Sequence, residues 1–461
     1  MDSKVTEKLA DFIARLEYSD LTAAVIDAAK EAVLDFIAVA IAGFRKARLP
    51  KMLMDCTLPM NGETESTILG MNQKISALHA ALINGTSGHS LDLDDGHRQA
   101  LGHPGVCVVP AALALAESSG SSGPQLLTAI VAGYEIFIRI ARSMNPSLFS
   151  RGFHTTGVCG TMAAAAAAAK VLALNPEKIS DTLGIGAIQS AGLLVVVHSG
   201  QMMKPLNAGK AAYNGVLSAM LAHQGADGSQ NVVEEKDGFG QAFAGDWDPA
   251  LMLDNLGNQF STTECYRKLY PSCRHSHAAI DAALFLNKKE KIVVENIQKI
   301  IVTTYPAALK LTQKENMPAD EPAARFNLAF AVSLALVKGR AGLAEFSMES
   351  TTDPRIQQLF EKVHFISDPS FESKTDSFRG AELEIIFSNN TAVKHKVLLP
   401  KGEPENPATP DDLEEKFKSC IGDFWTAPKT KAVMGAIRDL EHSDDIRILT
   451  KLIRENADVP T

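Results

Sequence analysis

Residues 88–105 read GHSLDLDDGHRQALGHPG, which sets three aspartates (Asp92, Asp94, Asp95) and three histidines (His89, His97, His103) between apolar, alanine-rich stretches. Upstream, SALHAALINGTSGHSLDLDD (76–95) reads as a helix, and its Gly85 and Gly88 permit close packing or a kink. Downstream, VCVVPAALALAE (106–117) is apolar all round, the mark of a buried helix. Ionisable groups wedged between buried helices lose their hydration, so they are hydrogen-bonded or used in chemistry. The stretch is therefore the first candidate site, and its flanks set a helical fold.

Further helices follow from apolar spacing. Val5, Leu9, Phe12, Ile13 and Leu16 mark one, and 20–43 a second whose centre, Phe36 to Ala42, is buried. Residues 51–75 are expected to be polar and turn-prone, with a short β-like piece, ESTILG. Helices are expected again over 125–142, through the alanines 163–169, from Asn175-Pro176 toward Leu193, and over 204–225.

Character changes near Thr262. A helix begins at Ser276, and strand-like pieces follow at 298–306 and 363–368. Residues 381–400 alternate with period two and read as a hairpin turning at Asn389-Asn390. An apolar helix lies between, at 325–339. The fold class is mostly α with a smaller α+β domain. The helical domain takes 1–262, the α+β domain 263–402, and 403–461 are C-terminal helices returning to the helical domain.

The chain has 461 residues, 46% hydrophobic and 21% charged, a balance ordinary for a soluble globular protein. A net charge of -9 argues against nucleic acid or an anionic membrane as partner. The six cysteines form no CxxC pair, and the N-terminus lacks a signal peptide's basic start and apolar core. The longest apolar runs, such as Phe36 to Phe44 and Val106 to Ala116, are too short to span a bilayer. A cytoplasmic protein with reduced thiols is expected. Nucleotide, nicotinamide, serine-hydrolase and zinc-protease motifs are absent.

Asp92, Asp95 and Gly96 are expected on one face of a helix end. His103 stands just ahead of a helix, as does His154 in RGFHTTG, and Lys204 in MMKPLNAGKAA enters another. One such residue is commonplace, a histidine bonded to backbone or a solvated lysine. The recurrence points to a shared site. Arg267, Lys268, Arg274, His275 and His277 crowd the start of the second domain. Cationic side chains converging on one cleft would bind a di- or tricarboxylate. A divalent metal held by Asp92, Asp95, His97 and His103 is the competing reading, and it lacks a second acidic motif on a facing helix. Cys159 and Cys273 read as packing residues.

The series DLDDGH…GHPG, RGFHTTG, KPLNAGKAA, KLYPSCRHSH and ARFNLAFAVSLAL resembles the MmgE/PrpD family, which includes 2-methylcitrate dehydratases, cis-aconitate decarboxylases and iminodisuccinate epimerase. The resemblance implies a large helical domain with a smaller lid domain, a homodimer, and a cleft between domains with no metal or organic cofactor. It also implies active-site roles for Asp92, His103, His154, Lys204 and Lys268. His97, His277 and Arg274 are candidate substrate-binding side chains. Gly96 falls where the decarboxylases and dehydratases often carry threonine, and Phe330 and Cys273 fall at further departures from the decarboxylase pattern.

The activity so implied is a cofactor-independent lyase. It would abstract a proton next to a carboxylate of a small di- or tricarboxylate and eliminate water, as a 2-methylcitrate dehydratase does. His154 and Asp92 would be acid/base partners, and Lys204, Lys268 and His103 would hold carboxylates. The alternatives are a cis-aconitate-type decarboxylase, an epimerase or isomerase, and a non-catalytic carboxylate-binding protein.

Overall fold

The computed structural model describes residues 4–60, 62, 64–198, 202–290, 292–372 and 378–455. The chain forms two compact units. The first takes the chain up to Ser90, Asp94–Cys265, and everything from Cys420 onward; the second takes Leu91–Leu93 and Tyr266–Ser419.

The first unit is built of helices. The longer ones are α1 (Val5–Arg15), α2 (Ala23–Lys46), α3 (Ala77–His89), α4 (Gly105–Ser119), α5 (Gly123–Met144), α6 (Thr155–Val171), α7 (Pro176–Gln189) and α8 (Lys204–His223). Helix α6 is the hub: α4, α5, α7 and α8 all pack on it. Its seven alanines, Ala163 to Ala169, are fully buried. Alanine favours helix and holds neighbours at short range. The helices close to backbone contact where glycine meets them. A Cβ at Gly215 of α8 would collide with Ala164, and one at Gly209 with the Leu82 carbonyl and Thr86 of α3.

Helix α5 is the one helix among the described residues long and apolar enough to cross a membrane, which corrects the reading that every apolar run is too short. Most of it is buried inside the unit. Its charged pair is satisfied internally: Arg139 Nε lies 3.2 Å from Glu135 Oε2, and Glu135 Oε1 accepts from the backbone and hydroxyl of Thr262 at 3.0 Å.

The second unit carries a four-stranded sheet: β1 (Ile297–Thr304), β2 (Val363–Ser367), β3 (Ala381–Phe387) and β4 (Ala392–Val397). Their order across the sheet is β2-β1-β3-β4. β1 pairs parallel with β2 through Ile300↔Val363, and antiparallel with β3 through Val302↔Leu383; β3 and β4 form the hairpin. Ile300 and Val302 of β1 share a core with Leu383 and Ile385 of β3, with α9 (His277–Glu290) and with α10 (Leu328–Lys338).

Three expectations change. Residues 48–57 form a helix, Arg48–Thr57, where polar turns were expected; Pro50 sits in its first turn, where the missing N–H costs nothing. The β-like piece ESTILG shrinks to Ser66–Thr67, paired with Lys74–Ile75. Residues 403–419 group with the second unit, where Lys416 Nζ donates to the Leu93 carbonyl at 2.7 Å.

The glycine seam gives a test. Gly209→Ala should lower the thermal midpoint by the equivalent of about 1–3 kcal/mol, the usual range for overpacking. Gly435→Ala lies in a helix with nothing near its Cβ, so it should be neutral or raise the midpoint.

Candidate active site

Helix α3 ends at His89, and residues 90–104 are irregular apart from isolated bridge positions, among them His97 paired with Gly102. Asp92 has φ 52°, a left-handed conformation that cannot continue an α-helix and that aspartate tolerates better than most residues. The expected helical face of Asp92, Asp95 and Gly96 is therefore not formed. The loop is pinned by side chains. Asp95 accepts from the Gly105 amide at 3.1 Å and from the Tyr134 hydroxyl at 2.6 Å. His97 accepts the Ala100 N–H at Nδ1 (3.1 Å), and its Nε2 lies 3.2 Å from Glu264. Both nitrogens of His97 are thus engaged in bracing the loop.

Within the first unit, α4 and α8 pack against each other and each against both α3 and α6. Four helix ends then deliver the site. His89 is the last residue of α3, His103 lies two residues before α4, His154 caps α6, and Lys204 is the first residue of α8. The His89 ring is 4.9 Å from the His103 ring and 5.8 Å from the His154 ring, centroid to centroid.

Asp94 joins two of the imidazoles: its Oδ2 lies 2.9 Å from His89 Nδ1 and 3.0 Å from His103 Nδ1. His103 Nδ1 is also 2.5 Å from the Asp95 carbonyl, and the Asn207 amide donates to His154 Nδ1 at 3.1 Å. His89 Nε2 and Asp94 Oδ1 are buried with no hydrogen-bond partner among the described residues, whereas the His103 side chain is 15% exposed. Of His89 and His103, the two rings on Asp94, His103 is the one a small molecule can reach.

Burial pushes the His89 imidazole down to about 4 against the pull of Asp94, and the Lys204 charge adds to the push. Burial, then His89 and Lys204, also hold His154 well below the usual imidazole range. Burial raises Asp94, but His89 and His103 together outweigh it and hold the carboxyl well below the usual carboxylate range. At neutral pH Asp94 is an anion beside neutral His89 and His154.

The donor atoms of His89, Asp94 and His103 lie within 4.8 Å of one another, a set of types that can hold a divalent ion. The metal set weighed from the sequence is not the one assembled. Asp95 and His97 are engaged as described, and Asp92 pairs elsewhere.

That pairing is in the second unit, where Lys268 Nζ donates to Asp92 Oδ2 at 3.0 Å and to the Asp92 carbonyl at 2.9 Å. Arg274 binds Glu403 at 2.8 Å and donates to His277 Nδ1 at 2.9 Å and to the carbonyls of Lys401 and Pro400. His277 Nε2 faces the Ser272 carbonyl at 3.3 Å. Arg274 and His277 thus tie the 272–277 segment to residues 400–403. His275 pairs with the Tyr305 hydroxyl, and burial, with Arg379 and Lys268 nearby, pushes its imidazole down to about 3. Phe330 is fully buried, edge-on to Phe346 at 5.9 Å.

Sequence reasoning missed His89, Asp94 and Asn207 as members of the first cluster. Asn207 carried a usable signal, since it follows Lys204 at i+3 on one helix face. Nothing in DLDD marks which aspartate turns inward.

Residues 7–252 match the MmgE/PrpD N-terminal domain, and residues 270–441 match the MmgE/PrpD C-terminal domain. The chain belongs to the MmgE/PrpD family. Among its relatives, the cis-aconitate decarboxylase-like protein oryM of Aspergillus oryzae is 28% identical, covering 98% of each chain. The cis-aconitate decarboxylase of Homo sapiens is 26% identical, over 98% of this chain and 95% of its own. The 2-methylcitrate dehydratase of Escherichia coli is 24% identical over 54% of this chain and 52% of its own. This MmgE/PrpD chain thus has full-length similarity to proteins named as decarboxylases and partial similarity to that dehydratase.

Two tests follow. With His89 lowered from 6.5 to about 4, the unfolded chain takes up its proton first as pH falls. The stability His89 contributes is present above pH ~6.5 and drains away toward pH ~4, on the order of 3 kcal/mol. His89→Gln should flatten the unfolding free energy across that window; an unchanged slope sinks the assignment. In the second unit, Lys268→Met removes the buried cation paired with the Asp92 carboxylate and should destabilise by about 3–5 kcal/mol, read by urea unfolding. Lys268→Met combined with Asp92→Asn should recover part of the loss.

Proposed function

We propose that this chain is a lyase acting on a small di- or tricarboxylate by proton transfer at a carbon next to a carboxylate. The observation that carries the reading is the anchored cluster of His103, His89 and His154 around Asp94, with Lys204 at the same helix ends. Removing a proton beside a carboxylate builds enolate-like charge, which a fixed cation in a dry site stabilises. Lys204 is that cation in the first unit. His103 and His154 are the acid/base pair.

Elimination of water uses both imidazoles. One takes the proton from the α-carbon, the electron pair forms the C=C bond, and the other protonates the departing hydroxyl, which leaves as water. This makes a 2-methylcitrate dehydratase-like reaction the first reading. Decarboxylation of a cis-aconitate-like acid is the second, favoured by the 26–28% identity over nearly the whole chain to proteins named for it. There the C–C bond to the carboxylate breaks, CO2 leaves, and an imidazole delivers the proton to carbon. Lys268 and Asp92 are carried forward as a carboxylate-binding cation and its partner, to be tested by mutation.

The test is a panel of 2-methylcitrate, citrate, cis-aconitate and iminodisuccinate followed by proton NMR in deuterated water. Loss of water or of CO2 from one of them is expected. Solvent exchange at the α-carbon with neither loss would replace the lyase by an epimerase. Thermal stabilisation by these acids with no product would make the chain a binding protein. On the true substrate, His103→Gln and His154→Gln should each lower kcat by about 10²–10⁴-fold.

A further inference from the structure

The two acid/base imidazoles are held by chemically opposite partners. His103 Nδ1 faces two acceptors, Asp94 Oδ2 at 3.0 Å and the Asp95 carbonyl at 2.5 Å. A nitrogen between two acceptors carries the proton, so neutral His103 exposes a bare Nε2. His154 Nδ1 instead receives a donor, the Asn207 amide at 3.1 Å, so its proton sits on Nε2. His89, neutral between the two rings, donates Nδ1–H to the same Asp94 oxygen and fixes that carboxylate in place.

We propose that Asp94 and Asn207 are positioning residues that set opposite tautomers, making His103 Nε2 the base and His154 Nε2–H the acid. The inference rests on the proton-transfer reading above and assigns its direction. In the forward step His103 Nε2 takes the α-proton and becomes imidazolium, with its positive charge beside the Asp94 carboxylate. His154 gives its Nε2 proton to the leaving hydroxyl and keeps Asn207 on Nδ1. The cycle closes when the proton on His103 is lost and one is returned to His154, so no oxidant or metal is called for.

Side-chain ¹⁵N NMR of histidine-labelled wild-type protein, assigned with single His→Gln variants, reads the tautomers without any turnover. The expected result is His103 protonated on Nδ1 and His154 on Nε2, with Asn207→Asp moving the His154 proton to Nδ1. The opposite tautomer at either ring in the wild type overturns the proposal. In the kinetic arm, Asp94→Asn should lower kcat by about 10³–10⁴-fold with KM little changed, the scale seen when a catalytic histidine loses its orienting carboxylate. It should also move the acidic limb of the kcat/KM profile to lower pH, and Asp94→Glu should restore part of both. A purely structural Asp94 would lower the thermal midpoint and leave that limb in place. Retention of kcat within threefold in a folded Asp94→Asn overturns the proposal, as does a stoichiometric divalent ion in wild type that is lost in Asp94→Asn. Expected tautomers with no turnover of the four acids would sink the lyase reading and leave the tautomer assignment standing. Turnover with the opposite tautomers would do the reverse.

Discussion

A single carboxylate oxygen, Asp94 Oδ2, within 3.0 Å of two imidazole Nδ1 atoms is the contact around which the first unit's buried polar cluster is arranged. A buried carboxylate without donors is expensive, and one with two aimed N–H groups is held as an anion. Aiming two rings at one oxygen requires the chain at His89 and at His103 to be fixed independently. The glycine and alanine seams supply that fixity. Where Gly209 meets α3 and Gly215 meets α6, the helices approach too closely to slide without collision. Packing precision in an apolar hub thus becomes geometric precision at the polar ends of its helices.

That coupling explains what could be read from the residues beforehand. Helices α2, α4, α5 and α6 declare themselves by apolar content and spacing, and the hairpin of β3 and β4 by alternation around Asn390, whose φ of 63° suits the turn. Helix Arg48–Thr57 was missed although Leu49, Lys51, Met52, Leu53 and Met54 favour helix; only part of one face is buried, and the turn-prone residues begin after it, at Pro59 and Asn61-Gly62. A change of character near Thr262 was visible in the residues, close to where the second unit resumes at Tyr266. The detachment of Leu91–Leu93 into the second unit was not, because a left-handed aspartate leaves no trace in hydropathy.

The site was legible where a titratable residue adjoins a helix start, as at His103, His154 and Lys204. It was illegible where function depends on direction. Asp92, Asp94 and Asp95 are chemically alike and adjacent, yet one pairs with Lys268, one with two histidines and one with Tyr134. Likewise His97, Arg274 and His277 have the chemistry of substrate ligands. The structure shows their polar atoms meeting Glu264, Glu403 and backbone carbonyls.

On the function proposed above, one family frame can carry dehydratase and decarboxylase names because the anchored imidazoles would do only the part those reactions share, a proton moved at a carbon beside a carboxylate. What leaves from that carbon is decided by the groups around it. Phe330, at one of the departures from the decarboxylase pattern, is sealed against Phe346 with no polar atom to offer. Gly96 offers backbone alone in a loop already braced by Asp95 and His97. Neither position takes part in the contacts described around Asp94.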